Sequence, residues 1–507
     1  MAYRVGDEIT GVVSDFGSAG EGVVKDGSFP VFVPYAIKGE TVSARITYAK
    51  KDFAFGELIE VLSPSNDRIK PICPYFGRCG GCDLQHISRE LQLELKRQSV
   101  VNALRKNAGI DIDVAKPVRL NDWAYRNKLS LPFGYNPRSK RVSLGFYEKK
   151  THNVVPMKWC PLHGDWAAKL ISCVTAWAND NNVSVYNERT QKGLLRHLVA
   201  RKLDTLCITL VINGSRVANL NALIEALQKE FSDFTIYISE NTKDTNVIFG
   251  DNVRLVFGKE RAQDLGKFSA VVSPLSFLQV NDEVRDAIYD AVCDELKDFD
   301  GDIVELYSGI GLLTTQIALR LPDAKITAVE IVPSATQNAN ALMKTLRLTS
   351  RVENVCDDAV HYLSTAVSKD YENKVGNGQG VKFDNELPDD GLQEQNILPD
   401  EILNSPLYLG EKSRNDSTVK KRASENNVGF SDKALILDPP RKGCDKEVLA
   451  AAMRADFAKI IYVSCNPQTL ARDVKILSEK YEILSVRPYD MFPQTAHIET
   501  LAVLVRK

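Results

Sequence analysis

Cys465 stands where an apolar run of β propensity, Ile460-Ile-Tyr-Val463, gives way to Ser464-Cys465-Asn466-Pro467 and then to a helical pattern at Leu470, Val474 and Leu477. Such a run reads as a buried strand whose end presents one thiol at the carboxyl edge of a sheet. Open α/β sheets bind their ligands at that edge. Two other strand ends have the same form. Ile303-Val-Glu-Leu-Tyr-Ser-Gly309-Ile-Gly311 runs into a glycine loop, and Ala434-Leu-Ile-Leu-Asp438-Pro-Pro-Arg441 runs into an acid held by two prolines. A thiol, a stretch of open backbone and a carboxylate are therefore expected on one rim.

The glycine loop lets a ligand approach the backbone, and Glu330, closing the next predicted strand about 20 residues on, suits a ribose diol. The third glycine of the dinucleotide pattern is missing (Gly311-Leu-Leu-Thr314), which favours S-adenosylmethionine over NAD because no pyrophosphate has to be cradled. A thiol beside a methyl donor selects a reaction. Methylating nitrogen needs no covalent nucleophile, whereas carbon 5 of a pyrimidine is too electron-poor to take a methyl group directly. A thiolate added to carbon 6 makes carbon 5 enolate-like. A base must then remove the carbon 5 proton, and Gln494-Thr-Ala-His497-Ile-Glu499 offers Glu499, with His497 as the rival. Uracil and cytosine both admit this chemistry.

A second group of cysteines lies in Cys73-Pro-Tyr-Phe-Gly-Arg-Cys79-Gly-Gly-Cys82, with Cys160 far downstream in Lys158-Trp-Cys-Pro161. Four thiolates suit an iron–sulfur cubane or a structural zinc. Zinc sites more often show two CxxC pairs, so the three-plus-one spacing points to iron–sulfur.

The elements that position these residues fall into three segments. Residues 1–64 read as five short strands (Glu8–Ser14, Gly22–Lys25, Val31–Val33, Thr41–Tyr48, Phe55–Leu62) and predict a small oligonucleotide-binding (OB-like) barrel. Lys38, Arg45, Lys50 and Lys51, with Phe16, Phe29, Tyr35 and Phe53, would supply charge and stacking faces for RNA. Residues 65–270 form a central α+β domain that carries the cysteine set, a helix capped by Ser88, and two basic spots, Tyr125-Arg-Asn-Lys128 and Leu195-Arg-His-Leu-Val-Ala-Arg201. From residue 271 to 507 strands and helices alternate, which predicts a doubly wound, Rossmann-like α/β sheet. Its last two strands (Tyr481–Tyr489, Ile498–Arg506) lack an intervening helix and should form an antiparallel hairpin. Residues 369–432 interrupt the alternation and read as a mobile insertion.

Composition permits this reading without choosing it. The chain has 507 residues, 44% hydrophobic and 26% charged, as in a globular protein. Ten cysteines, no apolar leader after Met1 and no run of about 18 apolar residues predict a cytoplasmic chain without a membrane span. Net charge is −2, but Lys369–Asp432 holds 13 acidic against 8 basic residues, so the remainder carries 56 basic against 53 acidic. That balance allows an RNA partner.

Ser464-Cys-Asn-Pro-Gln-Thr469, Asp438-Pro-Pro-Arg441 and His497-Ile-Glu499 resemble the RNA 5-methyluridine (uracil-C5) methyltransferase family. The barrel and the Cys73/Cys79/Cys82/Cys160 pattern resemble its 23S ribosomal RNA branch, which carries a TRAM domain and a [4Fe-4S] cluster. The resemblance covers nearly the whole chain outside the insertion. It implies Cys465 as nucleophile and Glu499 as proton acceptor, with Gln279, Tyr307, Glu330, Asp358 and Asp438 lining the S-adenosylmethionine and uridine pocket and Phe277 near the target base. The target would be a uridine of 23S rRNA or, alternatively, of the tRNA T-loop. A relic fold serving as a non-catalytic iron–sulfur RNA-binding protein is the rival. Leu312 departs from the family, whose ribosomal members often have Asn after the second loop glycine.

Overall fold

The computed structural model describes residues 3–366 and 430–507. The insertion expected over 369–432 lies outside the described residues except for the short turn Phe430–Asp432. Among the described residues no helix is long and apolar enough to cross a membrane.

The N-terminal segment closes into the expected barrel. Its strands Glu8–Phe16, Gly22–Asp26, Phe29–Val33, Thr41–Ala49 and Ala54–Ser63 follow the order first-second-third-fifth-fourth. Alternation of buried and exposed residues puts Val42, Ala44 and Ile46 inside, and the parallel pairing of Val31 with Ala54 leaves no open edge. The barrel is tight enough that a side chain at Gly22 would sit 2.8 Å from the Ala36 carbonyl oxygen.

Seven central strands run in the order Asn252–Phe257, Phe234–Glu240, Leu206–Ile212, Leu195–Lys202, Lys128–Asn136, Arg141–Tyr147, Val154–Pro156. The helices Asp165–Asp180 and Leu220–Gln228 cover one face through Leu170, Val174, Trp177, Leu223 and Leu227. Lys128, Arg201 and Cys207 belong to the other face.

The C-terminal sheet is ordered Val352–Cys356, Ile326–Glu330, Ile303–Leu306, Ala434–Leu437, Lys459–Ser464, Glu499–Arg506, Tyr481–Tyr489. Its first five strands are parallel, and with helices on both faces they read as nearly unbroken apolar runs. The terminal hairpin forms as expected. Its returning strand, Glu499–Arg506, inserts between Lys459–Ser464 and the outer strand instead of standing at the edge. The helix Arg89–Ala103, grouped with the central segment by sequence, buries Val100 and Ala103 against the apolar core of this last sheet.

Candidate active site

The sheet order fixes the site. Strand order reverses between Ile303–Leu306 and Ala434–Leu437, and a crevice opens beyond the carboxyl ends of strands at such a switch point. The loop Tyr307–Gly311 lies on one side of it and Asp438 on the other. Gly309 (φ +57°) and Gly311 (φ +77°) take left-handed conformations, and so does Tyr307 (φ 65°), where a side chain is strained. No atom lies within 4 Å of where a side chain at Gly309 would begin, so its backbone is open to a ligand. Glu330 ends the neighbouring strand, and its carboxylate accepts from the Gly309 and Val332 amides, both at 2.9 Å. An open glycine turn beside an anchored acid fits the ribose end of S-adenosylmethionine.

Asn466 is the N-cap of the helix Pro467–Leu477, its side chain accepting from the Gln468 amide at 3.0 Å. The cap stops the strand at Ser464 and leaves Cys465, half-buried, at the rim. The same Asn466 donates to the Arg441 carbonyl at 3.3 Å, as does the Thr469 hydroxyl, so the turn carrying the thiol holds the loop that follows Asp438. Asp473 ties that loop down, accepting from the Cys444 amide at 2.8 Å and the Tyr462 hydroxyl at 2.6 Å.

Register brings in the third group. Ser464 pairs with Thr500 at the end of the antiparallel ladder, so Cys465 and Glu499 are the next residues beyond it, and the Glu499 charge acts on the thiol. Glu499 is only 3% exposed. The turn before it is held from several sides. The Asp83 and Leu84 amides donate to the Gln494 carbonyl at 3.0 Å, the Tyr125 hydroxyl donates to the Pro493 carbonyl at 3.0 Å, and the buried Lys96 pairs with the buried Asp490. His497, the rival base, is exposed and packs edge-on to Phe492.

These groups share one electrostatic environment. Burial pushes the Cys465 thiol up to about 12, and the nearby Glu499 and Asp438 push the same way while Arg441 opposes them. Glu499 is held well above the ordinary carboxyl range by burial and by Asp438, with Arg441 again opposing. Asp438 keeps some solvent contact, yet the protein encloses it closely enough that burial raises its carboxyl to about 7. In the resting protein Cys465 therefore holds its proton near neutrality, burial favours the neutral form of Glu499, and Arg441 favours the charged form of both.

Two contributors escape a motif reading. Arg441 is visible as the fourth residue of Asp438-Pro-Pro-Arg441, but its type alone does not reveal that it faces the thiol. Glu305 is visible as an acid within an apolar strand. Burial raises it to about 8, the Thr314 hydroxyl that donates to it at 2.6 Å opposes the rise, and Asp438 and Glu330 add to it. Replacing Arg441 with alanine is expected to shift the pH profile of kcat/KM toward alkaline pH by about one unit and to slow methyl transfer near neutrality. An unchanged profile would remove Arg441 from the thiol's environment.

Other expected site residues are placed less simply. Tyr307 and Glu330 flank the crevice. Asp358 is exposed, and its carboxylate accepts from the Val360 and His361 amides at 2.9 and 3.2 Å, an N-cap interaction for the helix that begins there. Gln279 is half-buried in Ser276–Asn281, where its backbone carbonyl accepts from Asn127 at 3.0 Å, and Phe277 is 68% exposed. In the barrel, Phe16, Phe29 and Tyr35 pack against the barrel or the residues after it, and Arg45 pairs with Glu8 at 2.9 Å. Phe53 remains in a surface group of rings with Phe32, Tyr48 and Phe55, with Lys50 5.7 Å over Phe53 and Lys150 5.2 Å over Phe55.

Cys73, Cys79, Cys82 and Cys160 line one recess together with Arg126. Among the described residues no three His, Cys, Asp or Glu side chains are grouped as a metal ion would need. Burial pushes the Cys82 and Cys160 thiols up to about 12, and the Arg126 cation opposes the rise. The donor set suits a soft metal, and four thiols around one recess agree with that.

Residues 423–507 match the tRNA (uracil-5-)-methyltransferase family, and residues 3–59 match the TRAM domain. The chain is 33% identical, over 98% of its length and 97% of the relative's, to an uncharacterized RNA methyltransferase of Staphylococcus epidermidis. It is 32% identical to an uncharacterized RNA methyltransferase of Clostridium tetani, covering 97% of this chain and 95% of that one. Among solved structures, the Pyrococcus abyssi tRNA (uracil-54, C5)-methyltransferase in complex with S-adenosyl-L-homocysteine has a TM-score of 0.68 over 98% of this chain and 99% of that one, at 22% identity, a likeness of fold. With Cys465, Asp438 and Glu499 gathered at the rim of a sheet of this fold and relatives matched along almost the entire chain, the protein belongs to the RNA uracil-5-methyltransferase family.

Proposed function

We propose that the chain methylates carbon 5 of a uridine in 23S ribosomal RNA through a covalent bond between Cys465 and carbon 6 of the uracil. The observation that carries this reading is the strand pairing of Ser464 with Thr500, which brings the thiol of Cys465 into the field of the Glu499 carboxyl. S-adenosylmethionine, bound by the Tyr307–Gly311 loop and Glu330, supplies the methyl group. Cys465 gives up its proton to solvent and adds to carbon 6, and the displaced electron pair makes carbon 5 nucleophilic. Asp438, near half-protonation at neutral pH, can donate to or accept from the polar edge of the base. After methylation Glu499, in its carboxylate form, takes the carbon 5 proton, the carbon–sulfur bond breaks, and the thiolate is released. A uridine within folded RNA must leave its stack to reach the thiol. The surface rings Phe53, Phe55 and Tyr48, with Lys50 and Lys150, supply stacking faces and charge for the rest of the strand.

The assay offers 23S rRNA and tRNA transcripts with labelled methyl donor and digests the products to nucleosides. The expected product is 5-methyluridine in the ribosomal transcript. Label in the tRNA T-loop alone would refute the ribosomal target, and 5-methylcytidine would refute the uracil assignment. No turnover on either RNA would favour the relic, non-catalytic reading.

The [4Fe-4S] cluster belongs to the same proposal, supported by four thiols and the Arg126 cation around one recess. Cys73, Cys79, Cys82 and Cys160 would hold it. Anaerobically purified protein is expected to be brown and to contain about four irons per chain; colourless protein carrying zinc would overturn that part alone.

A further inference from the structure

The two basic spots of the central domain meet across its sheet. Lys128 and Arg201 are direct partners in the antiparallel ladder between Lys128–Asn136 and Leu195–Lys202, and the next strand sets Cys207 opposite Arg201. Like charges placed directly opposite repel. These two lie on the face that the helices leave bare, and both line a recess with Thr235, Tyr237, Lys259 and Arg261. Arg201 is only 6% exposed, yet Nε and Nη1 meet no acceptor among the described residues, and Nη2 alone donates, to the Ser276 carbonyl at 3.0 Å. No hydrogen-bond or ion-pair partner is found for the Lys128 ammonium among the described residues. The acids nearby are committed elsewhere. Glu260 accepts from the Tyr237 hydroxyl at 2.8 Å, Asp233 pairs with Arg261 at 2.8 Å, and Asp282 pairs with Arg285.

A buried guanidinium with two unused donors opposite a second cation is costly unless an anion joins them. We propose that this recess is a phosphate-binding site in which Lys128 and Arg201 together hold one phosphate group. Burial, with Arg201 beside it, lowers the Lys128 ammonium to about 8, and an anion between the two would raise it again. Ser273 and Pro274, at the wall of the recess, begin the segment that carries Phe277 and Gln279. A phosphodiester held here would therefore fix the RNA strand close to those two residues. The RNA source rests on the methyltransferase reading above; a free phosphate or mononucleotide is the other source of the same chemistry.

The test uses the full-length protein and the variants Lys128→Gln and Arg201→Gln, with melting curves to confirm that each folds. In the first arm, millimolar inorganic phosphate is expected to raise the wild-type melting temperature and to lose that effect in Lys128→Gln. In the second arm, Lys128→Gln is expected to bind substrate RNA about tenfold more weakly and to lower the slope of log affinity against log salt by about one. Loss of the phosphate effect with unchanged RNA binding assigns the recess to a free anion; weaker RNA binding with a shallower slope assigns it to the RNA backbone. Wild-type behaviour of Lys128→Gln in both arms overturns the proposal, even if Arg201→Gln fails to fold. The phosphate arm requires neither RNA nor turnover, so it stands apart from any failure of the methyltransferase reading.

Discussion

Cys465→Ala is expected to lower methyl transfer more than about a thousandfold, because nothing else at the rim can form the bond that activates carbon 5. Binding of S-adenosylmethionine should stay within about twofold of wild type, since the glycine loop and Glu330 stand on other strands. The thiol's environment adds a second expectation. With Cys465 pushed up to about 12, the protonated form dominates at neutral pH, and the thiolate fraction grows about tenfold per pH unit until that value is approached. Single-turnover adduct formation should climb with pH accordingly. Quench-flow on the wild type and isothermal titration of the variant check both points. Methylation retained by the alanine variant would refute covalent catalysis outright.

Glu499→Gln is expected to divide the reaction at its second half. Glutamine keeps the shape of the side chain and loses its basicity. Burial, with Asp438 alongside, raises Glu499 well above an ordinary carboxyl, which makes its deprotonated form a stronger base than a surface carboxylate. Attack and methyl transfer should survive, while elimination slows by about a hundredfold to ten-thousandfold. The protein should then accumulate on its RNA as a species that survives denaturing electrophoresis. Normal turnover without that species would pass the role to another group. His497 is the nearest alternative in sequence, although it is exposed and packed on Phe492.

Much of this arrangement was legible where local rules govern. The buried run Ala434–Leu437 announced itself as a strand, and Ile460–Val463 did so one residue short at each end of the observed Lys459–Ser464. Cys465 and Asp438 could be found because a strand end is a local event. What was not legible depends on distant partners. The returning hairpin strand could have stood at the edge, and only the ladder with Lys459–Ser464 puts Glu499 beside the thiol. The packing of Arg89–Ala103 on the last sheet turns on Lys96 finding Asp490, a pair separated by almost the whole chain. Cysteine spacing revealed that four thiols could share one centre. It could not reveal that Arg126 joins them at the same recess. Asp358 looked like a ligand contact and caps a helix, since a capping acid and a binding acid look alike in one dimension. Lys128 and Arg201 sat in separate basic spots, and only strand pairing shows that they oppose each other.

The most direct test of the covalent mechanism uses substrate RNA with 5-fluorouridine at the target position. After the methyl group arrives, carbon 5 bears fluorine and methyl and has no proton for Glu499 to take, so the carbon–sulfur bond cannot be released. Peptide mass spectrometry of the trapped protein is expected to find a methylated 5-fluorouridine joined to the peptide that contains Cys465. A linkage at any other residue, or methylated RNA released with no linkage, would contradict it.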